Sequence, residues 1–156
     1  NSDKVFDGKF TRVIYCCPSE VSSNNKFCEE LKEIFPNVEF IFGLPIVDGL
    51  QLRMDKTNKL VIIDDQFEDA CNSKNIQDIF TVHSHHFNIS IILIGHNFFI
   101  KSKYCTTLSR NATAKIVFFD KADQLFLTTL SHRIFPSSPK GPCKHKNAKS
   151  KMLFKS

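Results

Sequence analysis

Tryptophan is absent from these 156 residues, glycine is scarce at five, and no apolar run approaches the span of a bilayer. Each absence removes a class of answer. A membrane-crossing helix needs roughly 20 consecutive apolar residues, so no transmembrane helix and no membrane partner are expected. A phosphate-binding loop, G-x-x-x-x-G-K-[ST], needs glycine for close backbone approach and lysine to reach the phosphates. Gly8, Gly43, Gly49, Gly95 and Gly141 fit that pattern nowhere; Gly8-Lys9 runs into Phe10 and has no glycine five residues before it. The six cysteines (Cys16, Cys17, Cys28, Cys71, Cys105 and Cys143) contain no C-x-x-C, which argues against a zinc site. They read as buried free thiols of an intracellular, reducing compartment, with virion, nucleus and cytoplasm all left open. The first residues, Asn1-Ser2-Asp3-Lys4, are neither a secretory leader nor an initiating Met. They read as an internal cut in a longer product or as a trimmed chain.

Acid is missing from the C-terminal stretch. From Ser137 to Ser156 there are six Lys and no Asp or Glu, so the net charge of +5 belongs to that segment and the other 136 residues sit near −1. A short run rich in Pro, Ser, Lys and Asn buries too little apolar surface to offset its ordering entropy. Residues 137–156 are therefore expected to be a basic, disordered tail, either solubilising or making a weak, salt-sensitive contact to nucleic acid. Residues 1–136, in a chain that is 42% hydrophobic, suffice for one domain.

Within that domain β-type and helical patterns alternate. Residues 12–17, 38–42, 59–64, 89–94 and 115–119 read as strands. Residues 24–35, 68–83, 103–111 and 123–135 read as helices, the first stopped by Pro36. Residues 43–58 read as a loop with at most one helical turn. The third and fourth strands are apolar on both faces, as strands covered by helices on both sides are. The expected fold is α/β, with a largely parallel sheet of about five strands.

In such sheets ligands gather at the carboxyl ends of the strands. Asp64 and Asp65 stand at one such end, after Leu60-Val61-Ile62-Ile63. One carboxylate there could hold Mg²⁺, largely through water. Its neighbour, pointing to the other side of the strand, could orient or deprotonate a water. A strand simply ending in solvent carries Asp just as well. Ile94-Gly95-His96-Asn97 follows the fourth strand; its amide could meet a phosphate or the attacking water, although Gly-His-Asn also serves as a plain turn. His83-Ser84-His85-His86 invites a metal reading, with His83 and His85 sharing a face if the segment is extended. No Cys or acid stands nearby in sequence to complete a tetrahedral set, and structural histidines are the simpler reading.

Taken together, Leu60 to Asp65, Ala70-Cys71-Asn72-Ser73-Lys74, Phe80-Thr81, Ser84-His85-His86, Asn88 to Ile92, Asn97-Phe98-Phe99, Ser109, Asn111, Val117-Phe118-Phe119 and Ile134-Phe135-Pro136 resemble a known family. Arg12 to Cys16 and Phe42-Gly43-Leu44-Pro45 fit too. The chain resembles, over about residues 5–136, the genome-packaging ATPases of poxvirus-type large DNA viruses, in the FtsK–HerA superfamily. The versions in Polinton and adintovirus-like elements are the nearest in pattern. The resemblance implies a P-loop NTPase-like (ASCE) three-layer sandwich, ATP-driven DNA translocation into capsids, a homo-oligomeric ring, DNA as partner, and Mg²⁺ and ATP as cofactors. It implies that Asp64 is the Walker B Mg²⁺ ligand, Asp65 the catalytic acid and Asn97 the sensor. His96 stands where relatives usually have Gln. Thr106 stands where many have an arginine finger, and Arg110 is one helical turn away.

The family's Walker A strand, loop and helix are expected just before residue 1, between the fourth and fifth strands of the sheet. Without them the chain is expected to bind neither Mg²⁺ nor ATP tightly, and the two strands facing the gap must pair directly or leave the fold marginal. The leading expectation is a fragment or endogenous-virus remnant of a packaging ATPase. The alternatives are a non-catalytic P-loop-like remnant binding nucleic acid or protein, and a small metal-dependent nuclease using Asp64, Asp65 and the His83–His86 cluster.

Overall fold

Residues 13–17 and 60–63 are apolar without interruption, and they form the two central strands of a parallel sheet. The computed structural model describes residues 10–19, 26–46, 56–96, 101–118, 128–129 and 151–155. The chain divides into two units, Asn1–Asn111 and Ala112–Ser156, a boundary drawn earlier than the one at residue 136 read from sequence. The first unit holds β1 Arg12–Cys17, β2 Glu39–Phe42, β3 Lys59–Ile63 and β4 Ile89–Leu93. Their order is β2-β1-β3-β4, and all three pairings are parallel. β1 and β3 are buried almost throughout, while β2 and β4 are half-buried. Uniformly apolar strands belong in the middle of such a sheet because both of their faces are covered.

Side chains alternate across the pleat. Ile14, Cys16, Val61 and Ile63 face one side, where they pack with Ala70, Cys71, Ile76, Ile79, Cys105 and Leu108. Those partners come from α2 Phe67–Asn72, α3 Lys74–Asp78, a π-helical turn at Ile79–His83, and α5 Cys105–Asn111. Val13, Tyr15, Cys17, Leu60 and Ile62 face the other side, against Cys28 and Leu31 of α1 Lys26–Ile34. The first unit is thus α/β with helices on both faces of a parallel sheet. The helical stretch expected over 68–83 runs further, through α4 Ser84–His86. It breaks at Ser73, where the extended backbone lets the Ser73 hydroxyl accept from the Ile76 N–H at 3.3 Å and start the next helix.

The fifth expected strand, β5 Ala114–Phe118, does not extend the parallel sheet. It pairs antiparallel with β6 Lys151–Lys155, Ala114 opposite Lys155 and Phe118 opposite Lys151. The described parallel sheet therefore has four strands, not five, and β4 is its edge strand among the described residues. Part of the segment expected to be disordered is accordingly a strand. Met152-Leu153-Phe154 is a short apolar run that the average composition of 137–156 conceals, and ladder pairing satisfies its backbone groups. The helix expected over 123–135 lies outside the described residues apart from 128–129, which are helical. No helix among the described residues is long and apolar enough to cross a membrane.

At the amino ends of the strands, Lys59 is fully buried. Its ammonium donates to the carbonyls of Thr57 at 2.8 Å and Phe87 at 3.0 Å. Replacing Lys59 by Ala opens a cavity and strips two carbonyls of a charged donor. An expected loss of about 2–4 kcal/mol is measurable by urea unfolding. Across β1 and β2, Arg12 grips Glu39 through two hydrogen bonds of 2.5 and 2.7 Å. The Arg12 hydrogen bonds hold the Glu39 carboxyl below its ordinary value. A carboxyl with a depressed folded pKa contributes stability above the unfolded value, near 4.3, and loses it as pH falls through the folded one. Glu39→Gln should therefore lower stability by about 0.5 kcal/mol at pH 7, a partly exposed pair being screened. That deficit should shrink as the pH falls below the unfolded value and through the folded one, as read from urea unfolding across pH.

Candidate functional site

β1 and β3 are neighbours, yet their chains leave towards opposite faces, β1 into α1 and β3 into α2. A crevice at the carboxyl ends follows from such a divergence. Among the described residues, the polar side chains at those ends include Ser19 after β1, Asp64, Asp65 and Gln66 after β3, and His96 after β4. The Asp64 N–H donates to the Cys16 carbonyl at 2.9 Å, which carries the ladder one residue beyond β3. The Asp64 side chain shares the face of Leu60 and Ile62, and there its carboxylate accepts a hydrogen bond from the Tyr15 hydroxyl. Burial, and then the Asp64 carboxylate, push the Tyr15 hydroxyl well above the ordinary phenol range. The hydroxyl is consequently a donor at any working pH.

Asp65 does not continue the strand. Its φ of 53° is left-handed, a region that the short side chain of Asp tolerates better than most. This turn, not the strand alternation expected from sequence, separates the two carboxylates. It carries Asp65 to the surface, where its Oδ1 lies 3.5 Å from His96 Nε2. Both side chains are exposed, Asp65 at 64% and His96 at 86%, so the pair contributes little to stability and stays open to a ligand. Gln66 is buried and donates to the Gly43 carbonyl at 3.4 Å, joining the exits of β2 and β3. Asn97 lies outside the described residues.

The histidine cluster stands elsewhere. His83 ends the π-helical turn and His85 and His86 lie in α4, so His83 and His85 do not share a face of an extended segment. The cluster precedes the amino end of β4, whereas Asp64 follows the carboxyl end of the parallel β3. Five residues of strand, roughly 16 Å, separate the two ends of the sheet. His83 stacks on Phe87 with ring centroids 5.4 Å apart. Among the described residues no group of three or more His, Cys, Asp or Glu is placed to hold a metal ion. The histidine cluster and the Asp pair are therefore not brought together.

No family model, no curated protein and no solved structure matches the chain.

Five cysteines, Cys16, Cys17, Cys28, Cys71 and Cys105, are buried and free; Cys143 lies outside the described residues. Burial pushes Cys16 and Cys71 up to about 12, with Cys17 and Cys105 respectively adding to the shift. Thiols this poorly ionised are core residues, not nucleophiles. Thr106 and Arg110 are exposed on α5. Sequence reasoning missed Tyr15 and Gln66, which meet the site only through strand pairing and a turn.

Gly95 is dictated by packing. A Cβ at this position would lie 2.5 Å from Cβ and 2.7 Å from Cγ of Phe67, the first residue of α2. Gly95→Ala should displace Phe67 and cost about 1–3 kcal/mol, seen as a lower urea midpoint.

Proposed function

We propose that the first unit is the Walker B half of a P-loop NTPase-like, DNA-packaging ATPase of the FtsK–HerA superfamily. One observation carries this reading: the Asp pair stands at the carboxyl end of a fully buried parallel strand, with Asp65 3.5 Å from His96 at the end of the adjacent strand. Two features of the sheet support it. The strand bearing the Asp pair lies directly beside the strand that leads to His96. β4, the strand that should flank the family's Walker A strand, is the edge strand among the described residues.

Mg²⁺ binds through one or two carboxylates and keeps several waters, so it does not require three protein ligands. Asp64 fits this role. Its backbone is anchored to β1, and a carboxylate has acceptor capacity beyond the one hydrogen bond from Tyr15. When bound, Mg²⁺ would supply charge neutralisation to a nucleotide's phosphates. Asp65 is the group to orient or deprotonate a water, and His96 is placed to hold the Asp65 carboxylate. DNA, reached through a homo-oligomeric ring, is the proposed partner.

The 156 residues contain no phosphate-binding loop, so they offer phosphate charge no preorganised cradle. The chain by itself should show no ATP turnover above the blank in a steady-state assay. A turnover that Asp65→Asn abolishes would overturn that expectation. Coding sequence upstream of Asn1 should specify G-x-x-x-x-G-K-[ST] after an apolar strand, and its absence there would exclude an active parent gene.

A further inference from the structure

The side chain of Tyr15 is fully buried, yet its hydroxyl reaches the one carboxylate that ends β3. Three features hold it there. Its ring packs against Phe27 and Phe40, with centroids 5.8 and 5.6 Å away. Its backbone is locked in register, with Ile62 opposite. The residue after it, Cys16, receives the Asp64 N–H. Asp64 is thus held twice by one strand, through its backbone by Cys16 and through its carboxylate by Tyr15. We propose that Tyr15 is a positioning residue for a divalent-cation site at Asp64, fixing the carboxylate so that its remaining acceptor capacity is presented to the ion. The proposal rests on the reading of Asp64 as the metal ligand.

Mg²⁺ demands near-ideal octahedral geometry and dehydrates reluctantly. A site with a single fixed carboxylate therefore depends on the orientation of that carboxylate more than an all-protein cage does. A free aspartate must give up rotamer freedom on binding, whereas one already hydrogen-bonded by a buried phenol has given it up on folding. Partners that orient metal ligands in this way typically change affinity when removed. A hydroxyl that merely needed an acceptor would affect stability and leave ion affinity alone.

Mn²⁺ serves as the probe, on the intact 156-residue chain. Free aquo-ion EPR and water-proton relaxation give its affinity for wild type, Tyr15→Phe and Asp64→Asn, with circular dichroism to verify folding. Wild type should bind weakly, the nucleotide's phosphates being absent, Asp64→Asn should not bind, and Tyr15→Phe should bind about tenfold more weakly than wild type with a changed relaxation enhancement. If Asp64→Asn loses the ion but Tyr15→Phe keeps wild-type affinity, the positioning role is overturned and the Asp64 reading stands. If wild type binds no Mn²⁺, or Asp64→Asn binds like wild type, the Asp64 reading fails and takes the proposal with it.

A second measurement avoids altering Tyr15. Tryptophan is absent and the tyrosines are two, so Tyr104→Phe leaves Tyr15 as the sole emitter, quenched by its carboxylate partner. Mg²⁺ should shift that emission, and should fail to shift it when Asp64→Asn is added. Unchanged Tyr15 emission at a Mg²⁺ concentration where Mn²⁺ is displaced overturns the proposal.

Discussion

Parallel pairing of β1 with β3, in the register that sets Tyr15 opposite Ile62, is the constraint from which the rest of the first unit follows. A one-residue slip would exchange the two faces of β3. Asp64 would then turn towards the helices α2 and α3, and Val61 and Ile63 would leave the core they share with Ile14 and Cys16. The register is secured because both strands are apolar on both faces, and each face has its own helical cover. Burial of nine side chains of these two strands in two layers thus decides where one carboxylate points.

The two ends of this sheet are finished differently. At the amino ends, polar side chains are spent on backbone carbonyls. Lys59 serves Thr57 and Phe87, and the Asn88 amide serves Lys56 at 2.9 Å. At the carboxyl ends, Asp64 meets a buried phenol, while Asp65 and His96 remain exposed. Buried polar groups without partners are costly, so the amino end is closed by structure. The carboxyl end keeps charged groups in solvent, where a ligand can reach them. That asymmetry leaves Asp65 and His96 exposed at the carboxyl end, while the histidine cluster stands before the amino end of β4.

Much of the fold was legible in the residues. The strands at 12–17 and 59–63 announce themselves as unbroken apolar runs. α1 shows in the helical spacing of Phe27, Leu31, Ile34 and Phe35 and in its stop at Pro36, although Phe27 and Ile34 are exposed and Cys28 joins Leu31 in the core. The placement of Asp64 and Asp65 at a carboxyl end followed from Leu60 to Ile63 alone. The partner of β5 was not legible, because Lys151–Lys155 lies more than thirty residues away in a segment whose composition reads as disordered. Asp65's left-handed turn was not legible either, since Asp also ends strands in extended conformation. The extended reading of His83 to His86 failed because helix α4 continues past the last apolar position of the pattern.

Sequence alone determined strands at 12–17, 38–42, 59–64 and 89–94, each within a residue of those observed, and that two acids would close the third. Hydrophobic alternation and helical spacing are local properties, and they survive in any fold the chain adopts. Only the tertiary structure decided which strands are neighbours, and hence that Tyr15 reaches Asp64, that His96 approaches Asp65, and that the histidines stand at the far end. Those contacts join residues 31 to 49 positions apart, or opposite ends of one sheet. They depend on strand order and register, which come from the packing of both faces together and are written in no single segment.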